Sequence, residues 1–115
     1  MLQPISHRKN IVEEPLLRFS EISWNEIVPG AREKAFQCDS RTVRLLQLSA
    51  GFREAEWCRR QHLGFVLAGT LQVHFTNGVV TYQQGDGICI AAGERSKHRA
   101  IVGDGPVTLF LIDPH

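Results

Sequence analysis

No apolar run in this 115-residue chain approaches the ~20 residues a membrane-spanning helix needs, so no such span is expected. Neither sign of charge dominates. Thirteen Lys and Arg stand against twelve Asp and Glu, a net charge of +1, which leaves no electrostatic footprint for nucleic acid or a membrane surface. The local basic spots, Arg59-Arg60 and His7-Arg8-Lys9, read as solvated surface or tail. Residues Met1 to Asn10 lack the apolar centre of a signal peptide. The three cysteines, Cys38, Cys58 and Cys89, form no Cys-x-x-Cys pair. Reduced thiols and a cytoplasmic home are therefore expected. Internal repeats, linkers and low-complexity stretches are also missing, and the length suits one domain.

What the chain has in quantity is turn signals at short intervals. They are Pro29-Gly30, Asp39-Ser40, Ala50-Gly51, Gly69-Thr70, Asn77-Gly78, Gly85-Asp86-Gly87, Ala92-Gly93 and Gly103-Asp104-Gly105-Pro106. Short runs of Val, Ile, Leu, Phe and Thr lie between them. This pattern predicts an all-β sandwich or barrel. Asn77-Gly78, between runs 71–76 and 79–83, fits a two-residue hairpin turn with positive φ at both positions. Ser23-Trp24-Asn25-Glu26 has capping-box spacing and predicts one helical turn, stopped by Pro29. Residues 1–22 read as an arm that packs on the sheet or on a second subunit. The expected division within the single domain is thus an arm and first strand over 1–40 and the barrel over 41–115.

Strand alternation sorts the side chains by face. Over 52–58, Glu54, Glu56 and Cys58 face one way; Arg53, Ala55 and Trp57 face the other. Over 62–68, His62, Gly64, Val66 and Ala68 oppose Leu63, Phe65 and Leu67. Over 71–76, Leu71, Val73 and Phe75 oppose Gln72, His74 and Thr76, which puts His74 at the surface. His98 lines up with Ala100 and Val102. A thiol and two imidazoles on short strands, Cys58, His62 and His98, are side chains suited to holding a transition metal. Both faces of Leu63–Leu67 are apolar, and a small barrel cannot cover its own outside, so a homodimer is expected. Cys89, between Ile88 and Ile90, reads as packing, as does Cys38 near its turn. Trp57 is expected outside the barrel or at an interface. Gly85-Asp86-Gly87 lacks the Lys and the following helix of a phosphate loop, and no Ser/His/Asp order suits a hydrolase elbow.

With these residues in view, the chain resembles the cupin superfamily over roughly residues 42–112. The first cupin motif ends in a metal-binding acid, six arbitrary residues and a glycine. Here Gly69 is that glycine and His62 holds the acid's place. Four residues earlier the family carries a His-x-His pair, and this chain has Glu56-Trp57-Cys58. The second motif is met by Gly85 and Gly93, with Ala91 in the proline position and the histidine two residues late, as His98. A narrower likeness is to small cupins with a Trp-Cys pair, a Gly-Tyr-Val-Leu-like strand and a late histidine. Trp57-Cys58, Gln61-His62, Gly64-Phe65-Val66-Leu67 and Ser96-Lys97-His98 carry it. Trp24-x-x-Ile27-x-Pro29-Gly30 is also similar to the zinc-binding cupins of anti-sigma factors. The fold the resemblance implies is a cupin-type double-stranded β-helix, a jelly-roll barrel with a short N-terminal arm, often dimeric.

The departures from the motif substitute ligand for ligand, so the resemblance implies a metal site of Cys58, His62 and His98. Glu56 is the candidate fourth ligand or base, and Glu54 competes for the role. Gly64, Val66 and Ala100 are the expected pocket lining, with Gly64 leaving space for water or a ligand. Thiolate and imidazole favour zinc, while iron, nickel, manganese and copper also suit the set. The expected function is a metal-binding cupin that takes a small polar molecule, with no nucleic-acid or membrane partner. Whether it is an enzyme stays open. An open metal position would polarise a carbonyl or activate water or dioxygen. A saturated set of four ligands would make a sensor or ligand-binding module, redox-responsive if Cys58 were exposed. Without metal the barrel would be a scaffold.

Overall fold

The turn signals cut the chain into strands mostly of four to eight residues, seen in a computed structural model that describes residues 10–11 and 15–114. His7, Arg8, Lys9 and His115 fall outside the described residues. The strands are β1 (Asn10–Ile11), β2 (Asn25–Val28), β3 (Ala31–Cys38), β4 (Arg41–Leu48), β5 (His62–Ala68), β6 (Leu71–Phe75), β7 (Gly78–Tyr82), β8 (Gly87–Ile90), β9 (His98–Val102) and β10 (Val107–Pro114). The larger sheet runs β1-β3-β4-β10-β5-β8, with β2 also on β3; the smaller runs β7-β6-β9. Residues 51–58 extend the smaller sheet along β9. Gly51 N–H donates to Gly103 O at 2.8 Å, Val102 N–H to Phe52 O at 2.8 Å, and Cys58 and His98 exchange bonds of 2.8 and 2.9 Å.

Side-chain alternation fills the space between the sheets. Leu46 and Leu48 of β4, Val66 of β5, Leu71 and Val73 of β6, Ile88 and Ile90 of β8, Ala100 and Val102 of β9, and Val107, Leu109 and Leu111 of β10 form one buried core. β5 follows the expected bounds: His62 and Val66 are buried and Leu63, Phe65 and Leu67 are 45, 41 and 38% exposed, but Ala68, expected on the face of His62, is exposed. The chain before β2 covers part of the outer face of the larger sheet. Phe19 sets its ring edge-on to Phe36 and Phe110, at centroid distances of 5.3 and 6.4 Å.

Several expectations are corrected. Ser23–Glu26 does not start a helix: Asn25–Val28 is an edge strand with Ile27 buried, and the helical turn is a 3-10 turn at Phe19–Glu21. Burial of Ile27 against the core outweighs the capping spacing. The β6–β7 loop is Thr76-Asn77, one residue earlier than expected; Phe75 pairs with Gly78, which alone of the expected turn pair has positive φ, at +155°. Cys89 is exposed, opposite Leu63 on the outer face of β8. His74 is half-buried rather than superficial, on β6 opposite Arg99.

Candidate metal centre

Cys58, His62 and His98 come together at one end of the barrel. His98 opens β9, and the paired backbone bonds with Cys58 place the thiol beside its ring. His62 opens β5 on the inward phase, four residues after Cys58. All three are buried, at 6, 1 and 0% exposure, and one ligating atom from each lies within 4.8 Å of the other two. Cys58 Sγ is 3.5 Å from His62 Nε2, and the two imidazoles cross edge-to-face at 5.2 Å.

The second nitrogen of each ring is occupied. His62 Nδ1 lies 3.1 Å from Asp113 Oδ1, and His98 Nδ1 lies 2.9 Å from the carbonyl oxygen of Ser96. Both oxygens accept, so both Nδ1 atoms donate in the neutral rings. In the neutral rings this leaves the lone pair on Nε2, which for His62 lies 3.5 Å from Cys58 Sγ. His98 Nε2 is fully buried with no hydrogen-bond partner among the described residues. Burial by itself pushes the Cys58 thiol up, but polar interaction with His62, then with His98, outweighs it and brings the thiol down to about 5.

Behind His62 stands a buried ionic row that the sequence reading did not single out. Asp113 Oδ2 accepts from Arg44 Nε at 2.8 Å, and Arg44 Nη1 reaches Glu33 Oε1 at 3.3 Å. Burial pushes the Asp113 carboxyl up, yet His62 and Arg44 hold it below its ordinary value. The signal was present in the alternation: Arg44 occupies the inward phase of Leu46 and Leu48, and Asp113 that of Leu109 and Leu111. A charged residue on an apolar phase needs a partner there.

The other expected site residues lie elsewhere. Glu56 is exposed and stands outside the cluster. The reason is a bulge. Arg53 pairs with Ile101 and Cys58 with His98, so five steps of one strand run against three of β9, and simple alternation fails between them. Glu54 is buried, but its carboxylate accepts from the Ala100 backbone N–H at 3.0 Å. Gly64 leaves no space for a ligand: a side chain there would fall on the carbonyl oxygen of Phe110, so the glycine lets β10 approach β5. Val66 and Ala100 are core residues, 0 and 1% exposed. The space beside the cluster is instead a cleft of about 750 Å³ lined by residues 27–30 and 49–58, with Cys58 among its walls. Trp57, also in its wall, is half-buried outside the barrel core, with the Arg99 guanidinium 4.5 Å and the Lys97 ammonium 5.5 Å from its ring centre.

No protein-family model and no curated protein sequence matches the chain. Solved structures do. A protein from Silicibacter pomeroyi described as a sugar phosphate isomerase from a cupin superfamily aligns with TM-score 0.73 and 17% identity, over 88% of this chain and 76% of that one. An RmlC-like cupin from Shewanella frigidimarina aligns with TM-score 0.72 and 13% identity, over 89 and 92%. The polyketide cyclase RemF from Streptomyces resistomycificus aligns with TM-score 0.72 and 14% identity, over 88 and 79%. The chain has the jelly-roll fold of the cupin superfamily.

Proposed function

We propose that this cupin-fold chain holds a divalent transition metal, zinc before iron, nickel, manganese or copper, through Cys58, His62 and His98. The observation that carries the reading is the convergence of three ligating atoms, one sulfur and two imidazole nitrogens, within 4.8 Å of one another in a buried space. His62 Nε2 lies 3.5 Å from Cys58 Sγ, and His98 Nε2 is buried with no hydrogen-bond partner among the described residues. A buried acceptor without a donor is costly, and a cation removes the cost for all three atoms at once. The donor set fits: thiolate and two imidazoles are zinc ligands. The 3.5 Å between Cys58 Sγ and His62 Nε2 matches the spacing of two donors on a tetrahedral ion with bonds of about 2.0–2.3 Å.

Three protein ligands leave a fourth position for a ligand, in the manner of a reactive rather than a structural site. Such an ion would supply Lewis-acid polarisation of a bound oxygen. The chain's own contribution is to orient His62 through Asp113, orient His98 through the Ser96 carbonyl, and present the cleft beside Cys58 to a small molecule. Neighbours of the same fold described as a sugar phosphate isomerase and a polyketide cyclase support a small-molecule ligand. Exposure of Leu63, Phe65 and Leu67 on one face supports a homodimer formed through the larger sheet.

Metal content of the purified full chain, beside Cys58→Ser and His98→Ala, tests the reading. About one metal ion per chain is expected, lost in both variants. Stoichiometric metal retained by both variants, or a wild-type chain that takes none even after reconstitution, overturns it.

A further inference from the structure

The row behind His62 does more than neutralise buried charge. Arg44, Asp113 and His62 are each at most 2% exposed, so water does not settle their hydrogen bonds. A carboxylate only accepts and a guanidinium only donates. Arg44 Nε holds Oδ2 of Asp113 at 2.8 Å, and the same carboxylate presents Oδ1 to His62 Nδ1 at 3.1 Å. Glu33, 3.3 Å from Arg44 Nη1, holds the guanidinium from its other side. The ring nitrogen facing Asp113 then has to carry a proton, and in the neutral ring the nitrogen facing Cys58 keeps its lone pair.

We infer that Asp113, clamped by Arg44, is the positioning residue that sets the tautomer of His62 and so makes its Nε2 a metal ligand; this rests on the metal reading above. Metal-bound histidines depend on such partners for their basicity and ring orientation. The substitution Asp113→Asn separates tautomer from shape. Arg44 offers only donors, so the amide oxygen turns to Arg44 and the amide NH2 turns to His62 Nδ1. The ring proton moves to Nε2, where it points at the thiol and blocks ligation. An analogous change at the carboxylate of a serine-protease triad leaves geometry intact and imposes the wrong tautomer.

Two measurements on the full chain test this. Long-range proton–nitrogen NMR of the metal-free protein reads which nitrogen of His62 is protonated. Chelator competition with Zn2+ reads affinity. The expected result is a proton on Nδ1 in the wild type, a proton on Nε2 in Asp113→Asn, and an affinity about 10–100-fold lower in the variant. A merely structural role would not move the ring proton. A wild-type ring that is protonated on Nε2 and not on Nδ1, or a folded Asp113→Asn with unchanged Zn2+ affinity, overturns the inference. If the variant does not fold, the wild-type tautomer decides alone. A wild type that binds no Zn2+ overturns the reading of the site, and the tautomer still decides the role of Asp113.

Discussion

At Cys58 burial and hydrogen bonding act in opposite directions, and the outcome sets how the metal-free protein responds to pH. Burial raises the thiol, and interaction with His62 and His98 outweighs it, leaving a value of about 5 against 9.0 for the free group. A group whose folded value is depressed contributes stability that is complete above its unfolded value and is lost as pH falls toward its folded value. The contribution of Cys58 is therefore largest above about pH 9, shrinks through neutral pH and is gone below about pH 5. Denaturant unfolding of the metal-free chain and of Cys58→Ser should show a stability gap that widens from pH 5 to pH 9. A gap that is constant or narrows over that interval contradicts the depressed thiol. His62 and His98 were legible in the sequence because each sits where strand alternation points inward, and Cys58 because the motif resemblance sets it four residues before His62. Asp113 was not linked to His62, because their contact depends on β10 lying beside β5 with Ile112 opposite Leu63, a pairing of segments far apart in sequence. Local pattern carries the phase of a strand and not its neighbour.

Among the elements, β5 and β10 show how a missing side chain positions the site. β10 lies between β4 and β5 and carries Asp113 at its end; its backbone comes close to β5 at Gly64. Gly64→Ala would put a methyl group on the Phe110 carbonyl and force the strands apart, two residues from His62. A loss of about 1–3 kcal/mol or more is expected, the usual cost of overpacking. Gly103→Ala, where an added Cβ meets nothing within 4 Å, should change stability by no more than about 0.5 kcal/mol. Equal effects of the two substitutions on the denaturation midpoint would refute the close approach. β5 and β9 were readable to the residue because regular alternation and flanking glycines bound them. The segment 52–58 was only half readable. Its ends pair with β9, but the bulge between them throws Glu56 outward, and no feature of Ala55-Glu56-Trp57 announces the two extra residues. The Ser23–Glu26 spacing failed for a related reason: a cap signal is local and weak, while burial of Ile27 is tertiary.

For the whole molecule, the unresolved balance is the outer face of the larger sheet. Phe19 covers Phe36 and Phe110, yet the stripe of Leu63, Phe65 and Leu67 stays about two-fifths exposed. Phe65 stands 6.0 Å from Phe110, so the stripe continues into a broader aromatic patch. Scattered exposed apolar residues need no explanation, but a contiguous patch on a sheet face marks an interaction surface, and the proposed homodimer would use it. Closed two-fold symmetry would bring the same patch from both chains together and bury it once. Sedimentation of the full chain should give twice the monomer mass. Leu63→Lys combined with Phe65→Lys should give the monomer mass with an unchanged β-sheet circular dichroism spectrum, because both side chains point away from the core. Metal stoichiometry should survive the double substitution, since Cys58, His62 and His98 all lie inside one chain. A wild-type chain that sediments as a monomer removes the dimer and leaves the metal centre standing. A double variant that loses its metal while keeping its fold would mean that the second copy completes the site.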